Sequence, residues 1–183
     1  MSHRLIGACR SPLMKKRTYV LVVVLCVLVG IGYYFVFRKT SLVDIEPHTL
    51  YNVTEVMDGD TIRVGVDRRI VTVRLLGINT PETVDPRRGV ECFGPDASKE
   101  TKELLSHQKV FLKLNPKREV LDKYGRYLAY VYRADGLFIN EKLLTDGYAR
   151  EYTYGTPYSF VAKFKSLEKK ARTEKRGLWG KCV

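Results

Sequence analysis

Val56-Met57-Asp58-Gly59-Asp60-Thr61, read together with Val73-Arg74-Leu75-Leu76-Gly77-Ile78-Asn79-Thr80-Pro81-Glu82-Thr83, decides how the rest of the chain is understood. The first stretch sets two carboxylates either side of a glycine, between two β-type runs. The second begins as a strand carrying Arg74, breaks at Gly77, and presents Asn79, Thr80 and Glu82 in a loop containing Pro81. Acidic oxygens, a backbone-rich turn and an arginine are the parts needed to hold a hard cation against a phosphate.

Outward from this core the periodicity is that of short strands. Leu50–Met57 alternates, with Tyr51, Val53 and Met57 on one side. Asp60–Val66 alternates again, Asp60 sharing the parity of Ile62, Val64 and Val66. Arg69–Leu76 puts Val71, Val73 and Leu75 on one face and Ile70, Arg74 and Leu76 on the other, after a tight connection from Gly65 to Arg69. Three such strands joined by turns predict a meander curling into a small barrel. Further on, Val84–Gly94 reads as a loop and Pro95–Gln108 as a helix, with Pro95 in its first turn and Asp96 at the positive end of its dipole. Val110–Leu114 and Gly125–Arg133 read as strands either side of a polar loop. A short helix over Phe138–Thr145 stops at Gly147, and Tyr148–Gly155 is irregular. Pro157–Arg176 is a helix with Phe160, Phe164, Leu167 and Ala171 as its inner stripe. The expected class is α+β: an OB-like five-stranded barrel with three helices.

The parity of Asp60 aims its carboxylate into the barrel's end. There it suffers a desolvation cost of several kcal/mol unless it is paired or bound to a metal. A turn aspartate capping the Gly59 bend is the plainer account of a lone Asp-Gly-Asp. Arg74 and Glu82 downstream favour the functional one.

Asp58-Gly59-Asp60-Thr61, Arg74-Leu75-Leu76, Thr80-Pro81-Glu82 and Asp122-Lys123-Tyr124-Gly125-Arg126, with Gly94-Pro95-Asp96-Ala97-Ser98 between them, resemble the thermonuclease (staphylococcal-nuclease-like) family in order and spacing. The resemblance runs from about Tyr51 to about Trp179. It implies a barrel of the same class, a Ca²⁺-dependent endonuclease acting on DNA and RNA with a preference for single strands, and products ending in 3′-phosphate. Carried over residue by residue, Asp60, Asn79 and the carbonyl of Thr80 would bind the ion, with Asp58 supporting it. Glu82 would orient or deprotonate the attacking water, and Arg74 and Arg126 would clamp the phosphate. Lys123, Tyr124 and Tyr152 would hold a neighbouring phosphate and base. Asn79 departs from the pattern, which has aspartate there. An amide oxygen remains, but the charge is lost, so weaker Ca²⁺ binding is expected. That departure keeps open a catalytically silent barrel that binds nucleic acid or a protein ligand.

Charge and cysteine usage bound the rest. The formal charge is +12. Residues 1–39 contribute Arg4, Arg10, Lys15, Lys16, Arg17, Arg38 and Lys39 and no acid, so the remainder is only mildly basic. That suits a polyanion met at one face, and equally a solvated Lys-rich surface. Residues 18–37 carry no charge. Twenty helical residues rise roughly 30 Å, enough to cross a bilayer, with Tyr33, Tyr34 and Phe35 suited to its interface. The expected organisation is a basic tail over 1–17, a transmembrane helix over 18–37, a linker over 38–49 and the barrel over 50–183. Basic residues before the span keep the N-terminus cytoplasmic and export the barrel. A mitochondrial membrane is an alternative address, given the acid-free basic start. Cys9 and Cys26 fall in the tail and the span. Cys92 and Cys182, once exported, are expected to be bridged rather than free. None of His3, His48 and His107 is assigned to catalysis.

Overall fold

The computed structural model of the chain describes residues 12–40, 42–83, 89–116 and 119–182. Residues 1–11 of the expected tail and residues 84–88 of the expected loop lie outside them. The chain divides into two compact units, one ending at Val43 and the other running from Asp44.

The first unit holds a 29-residue helix, α1 (Pro12–Thr40). Every side chain described from residue 18 to 34 is exposed. Among the described residues no helix is long and apolar enough to cross a membrane. The spanning helix expected over 18–37 is therefore not met there, its last three side chains lying outside the description.

The second unit is built on a closed barrel of β1 (Leu50–Asp58), β2 (Thr61–Val66), β3 (Arg69–Leu75), β5 (Lys109–Leu114) and β6 (Tyr127–Arg133), in the order β1-β2-β3-β6-β5. The meander β1-β2-β3 is antiparallel throughout, and β3 closes on β6 in parallel. Ile62, Val64, Val66, Val73, Leu75, Val110 and Ala129 fill the interior and are almost fully buried. The parities predicted for β2 and β3 hold.

In β1 the parity does not hold. The register shifts between Val53 and Glu55, and again between Val56 and Asp58. A bulge inserts one extra residue, so the side chains beyond it change face. Val56 is therefore buried where Met57 was expected, and Asp58 turns inward beside the site. Plain alternation carries no sign of such an insertion.

The helices fall close to where they were expected and are each somewhat shorter: α2 (Gly94–Leu105), α3 (Ile139–Thr145) and α4 (Val161–Thr173). A one-turn helix α5 (Leu178–Lys181) follows them. On α4, Phe164 and Ala171 are buried and Leu167 is only partly covered, as is Phe160 just before the helix. The segment expected to be irregular contains β7 (Arg150–Glu151), which pairs with β4 (Ile78–Asn79) in a two-stranded sheet. That pairing sets Arg150 against Asn79 and brings the tyrosines after β7 to the loop after β3. Tyr158 pins the arrangement, its hydroxyl lying 3.2 Å from the Gly77 carbonyl and 2.9 Å from Glu151 Oε1. Gly77 has φ +82, and a Cβ there would lie 2.7 Å from the Tyr158 ring. Glycine is therefore required both for the backbone and for the packing.

Candidate active site

Asp60 closes the end of the barrel at the mouth of β2 and is 6% exposed. Its desolvation is met by three donors. Arg74 Nη2 lies 2.8 Å from Oδ2, the Thr80 N–H donates to the same oxygen at 2.9 Å, and Thr61 Oγ1 donates to Oδ1 at 3.0 Å. Arg74 is immobilised in turn. Nη1 donates to the carbonyls of Leu75 (3.0 Å) and Ile78 (2.9 Å), and Nη2 donates to Asn79 Oδ1 at 2.9 Å. Asn79 completes the set by donating from Nδ2 to the Thr80 carbonyl at 3.2 Å. The three oxygens expected to face a cation thus belong to one hydrogen-bonded cluster around a single guanidinium.

The loop after β4 is tied down residue by residue. Thr80 is held by Asp60, and Glu82 accepts the Thr83 N–H on Oε1 at 3.0 Å. Thr83 Oγ1 donates to Asp58 Oδ1 at 2.6 Å. Burial pushes the Asp58 carboxyl above its ordinary value. The Thr83 and Gly59 hydrogen bonds oppose this, and the charges of Asp60 and Glu82 add to it. Gly59 is where this loop meets the β1–β2 turn, since a Cβ there would lie 2.7 Å from Thr80 Oγ1.

Across the cleft, Asp122 organises the turn before β6. Its Oδ1 accepts the N–H groups of Tyr124 (2.9 Å) and Arg126 (3.0 Å), and its Oδ2 accepts Arg126 Nε at 2.7 Å. Arg126 precedes β6 rather than lying on it, so Asp122, and not strand alternation, fixes its direction. The Tyr124 ring is contacted by both neighbouring cations, with Lys123 Nζ at 4.9 Å and the Arg126 guanidinium at 5.2 Å from its centroid. A hydrogen bond with Tyr124 raises the Lys123 pKa. Tyr152 and Tyr154 stack at 6.5 Å with planes 13° apart, 48% and 65% exposed.

One open cleft is lined by Asp58, Asp60, Arg74, Asn79, Thr80, Glu82, Lys123, Tyr124, Arg126 and Tyr152 together. The sequence reading picked out all ten, and they come from four separate segments. Asp122 and Thr83 stand in the quoted motifs without a role assigned to them, and Tyr154 was not singled out. An Asp three residues before a glycine is a type I turn signature, and it marks Asp122. Tyr154 depends on the β4–β7 pairing, which has no local signal. Cys92 and Cys182 lie outside the cleft and are bonded to each other, with Cα atoms 5.9 Å apart. Among the described residues no three His, Cys, Asp or Glu side chains converge as a metal cage.

A closed five-stranded barrel with helices, carrying such a cleft at the end of its meander, defines an OB-like α+β fold with a polar site. The family model described as staphylococcal nuclease homologue matches residues 72–181. The chain is 36% identical over 171 residues to the thermonuclease of Staphylococcus hyicus, covering 91% of this chain and 99% of that one. It is 38% identical over 171 residues to the thermonuclease of Staphylococcus intermedius, at the same coverage. With endonuclease YncB of Bacillus subtilis it shares 42% over 135 residues, 72% of this chain and 63% of that protein. The chain belongs to the staphylococcal nuclease family. It is a nuclease, a hydrolase of phosphodiester bonds.

Proposed function

We propose that the chain is a Ca²⁺-dependent endonuclease that cuts DNA and RNA with little sequence preference, favours single strands and leaves 3′-phosphate ends. The observation that carries this is the convergence of Asp60, Arg74, Glu82 and Arg126 on one cleft rimmed by exposed tyrosines.

The donor chemistry fits a hard cation. Asp60 Oδ1 and Oδ2, Asn79 Oδ1 and the Thr80 carbonyl are all oxygens, the ligands Ca²⁺ takes, and Asp58 and Glu82 add negative potential nearby. Asp60, Asn79 and Thr80 would hold the ion, which would supply Lewis-acid polarisation of a phosphoryl oxygen. Glu82 takes up, or orients toward itself, the proton of the attacking water. As water adds to phosphorus, charge gathers on the non-bridging oxygens. The fixed forks of Arg74 and Arg126 stabilise that charge more than the ground state. The bond from phosphorus to the 5′ oxygen breaks, that oxygen takes a proton from water, and Glu82 returns its own to solvent, giving a 3′-phosphate and a 5′-hydroxyl. Lys123 pairs with an adjacent phosphate, and Tyr124 and Tyr152 stack on bases, a contact indifferent to sequence that needs unpaired bases. End-group analysis tests this reading. Fragments of a single-stranded oligonucleotide cut in Ca²⁺ should be refractory to polymerase extension until treated with phosphatase. Extendable ends without that treatment would contradict it.

One observation favours a second reading. Asn79 ties two ligand positions to each other and to Arg74, as a silent barrel that binds nucleic acid or a protein ligand would tolerate. Retained binding of single-stranded DNA with no cutting in any divalent ion would favour it.

We also place the nuclease domain, 50–183, behind a basic tail (1–17), a membrane anchor (18–37) and a linker (38–49). The N-terminus is cytoplasmic, and the domain lies in an oxidising space. The support is the uncharged twenty-residue run inside the helix Pro12–Thr40, and the exposure of its described apolar side chains. Release of the intact chain from native membranes by alkaline carbonate would contradict the anchor.

A further inference from the structure

Glu82 is gripped at its backbone by a residue that the nuclease chemistry does not use. The Glu82 N–H donates to Glu91 Oε2 at 3.2 Å, and the Glu82 carbonyl accepts the Glu91 N–H at 2.8 Å. One residue therefore satisfies both backbone polar groups of another. Gly94 closes on the same point. A Cβ there would lie 2.8 Å from the Glu82 carbonyl oxygen and 3.2 Å from that of Pro81, so only a bare Cα allows the approach.

The gripping turn is itself held in an uncommon shape. The Gly94 N–H returns to the Glu91 carbonyl at 3.0 Å, and Phe93 has φ +67. A bulky side chain adopts that left-handed conformation only when its surroundings compel it. Two neighbours do so here. Cys92 is bonded to Cys182 beyond α5, and the Phe93 ring stacks on Tyr148 at 5.4 Å. The disulfide thus reaches Glu82 through one intervening residue.

Resting on the reading of Glu82 as the group that handles the attacking water, we propose that Glu91 is a positioning residue for Glu82 and that the Cys92–Cys182 bridge keeps Glu91 in place. The Glu82 carboxylate folds back onto the adjacent Thr83 N–H, so its location follows the backbone that Glu91 sets. A shift of about 1 Å at such a group costs on the order of a hundredfold in rate. Substrate is held by Lys123, Tyr124 and Tyr152, which lie on other segments, so the effect falls on turnover and not on binding. Glu91 supplies an acceptor oxygen. Glutamine can supply one as well, and alanine cannot.

The test uses the full chain in detergent, with Ca²⁺ and a single-stranded oligonucleotide, on wild type, Glu91→Ala, Glu91→Gln, Cys92→Ser/Cys182→Ser, and Glu91→Ala in a Glu82→Gln background. The expected result is a fall in kcat on the order of ten- to a hundredfold for Glu91→Ala, with KM unchanged. Glu91→Gln should recover most of that loss, with an unchanged pH profile. The serine pair should show the same split in kcat and KM. Glu91→Ala should add nothing once Glu82 is Gln. Faster exchange of the Glu82 amide in folded Glu91→Ala, with the Leu75 amide unaffected, reads the grip independently of turnover. A Glu91→Gln variant as impaired as Glu91→Ala would make Glu91 a proton-transfer group and overturn the proposal. So would full additivity with Glu82→Gln, or wild-type kcat in Glu91→Ala. A wild type that cuts nothing while the exchange result holds would instead overturn the reading of Glu82, and with it the role assigned to Glu91.

Discussion

The guanidinium of Arg74 lies 2.8 Å from the carboxylate of Asp60, and both side chains are nearly buried. One contact therefore joins two roles. Arg74 is read as a transition-state donor, yet here it also neutralises a carboxylate that would otherwise stand uncompensated at the barrel's end. The two arginines of the cleft differ in this respect, because Arg126 is held by the more accessible Asp122.

That difference separates two substitutions. Arg126→Ala should lower kcat by roughly two orders of magnitude or more, as for other transition-state donors, with modest effect on DNA binding and on thermal stability. Arg74→Ala should lose turnover similarly and also destabilise the fold by about 3–5 kcal/mol, because it strands a buried charge. Steady-state kinetics beside denaturant melts check both. Equal losses in binding and turnover would indicate simple attraction of a polyanion.

Asn79→Asp adds a negative charge among the candidate ligands and removes the donor that Asn79 offers to the Thr80 carbonyl. Tighter Ca²⁺ binding at neutral pH is expected, measured by titration calorimetry without substrate. An unchanged midpoint would mean that position 79 does not face the ion.

Burial, reinforced by the hydrogen bond with Glu151, raises the Tyr158 hydroxyl well above its ordinary pKa of 10.0. Folding therefore favours its protonated form. The corresponding stability is fully present below pH 10, and it is lost as rising pH ionises the unfolded chain but not the native one. Stability measured from pH 9 to 11 should fall, and Tyr158→Phe should flatten part of that slope. A slope identical in the variant would contradict the assignment.

The Cys92–Cys182 bond spans a sequence separation of 90. On the chain-entropy model it restricts the unfolded state by at most about 4 to 5 kcal/mol. Cys92→Ser/Cys182→Ser should lower Tm by on the order of 10 °C. An unchanged Tm would show that the bridge adds little beyond packing.

Much of this was legible in the sequence because it rests on local rules. The parity of Asp60 with Ile62, Val64 and Val66 turned it inward, and Gly77 marked the end of the third strand. Three features escaped, each for a non-local reason. The bulge in β1 moved burial from Met57 to Val56 and turned Asp58 toward the site. The β4–β7 pairing brings Tyr154 alongside Tyr152. The grip of Glu91 on Glu82 crosses a loop whose closure no pattern in the residues announces.

Cutting of phosphodiester bonds at this cleft is proposed to need Ca²⁺. Digestion of single-stranded DNA by the purified full chain, with Ca²⁺ and with excess chelator, tests it most directly. Fragments are expected in Ca²⁺, none with chelator, and recovery when Ca²⁺ is restored. Equal cutting by folded protein in the presence of chelator would contradict it.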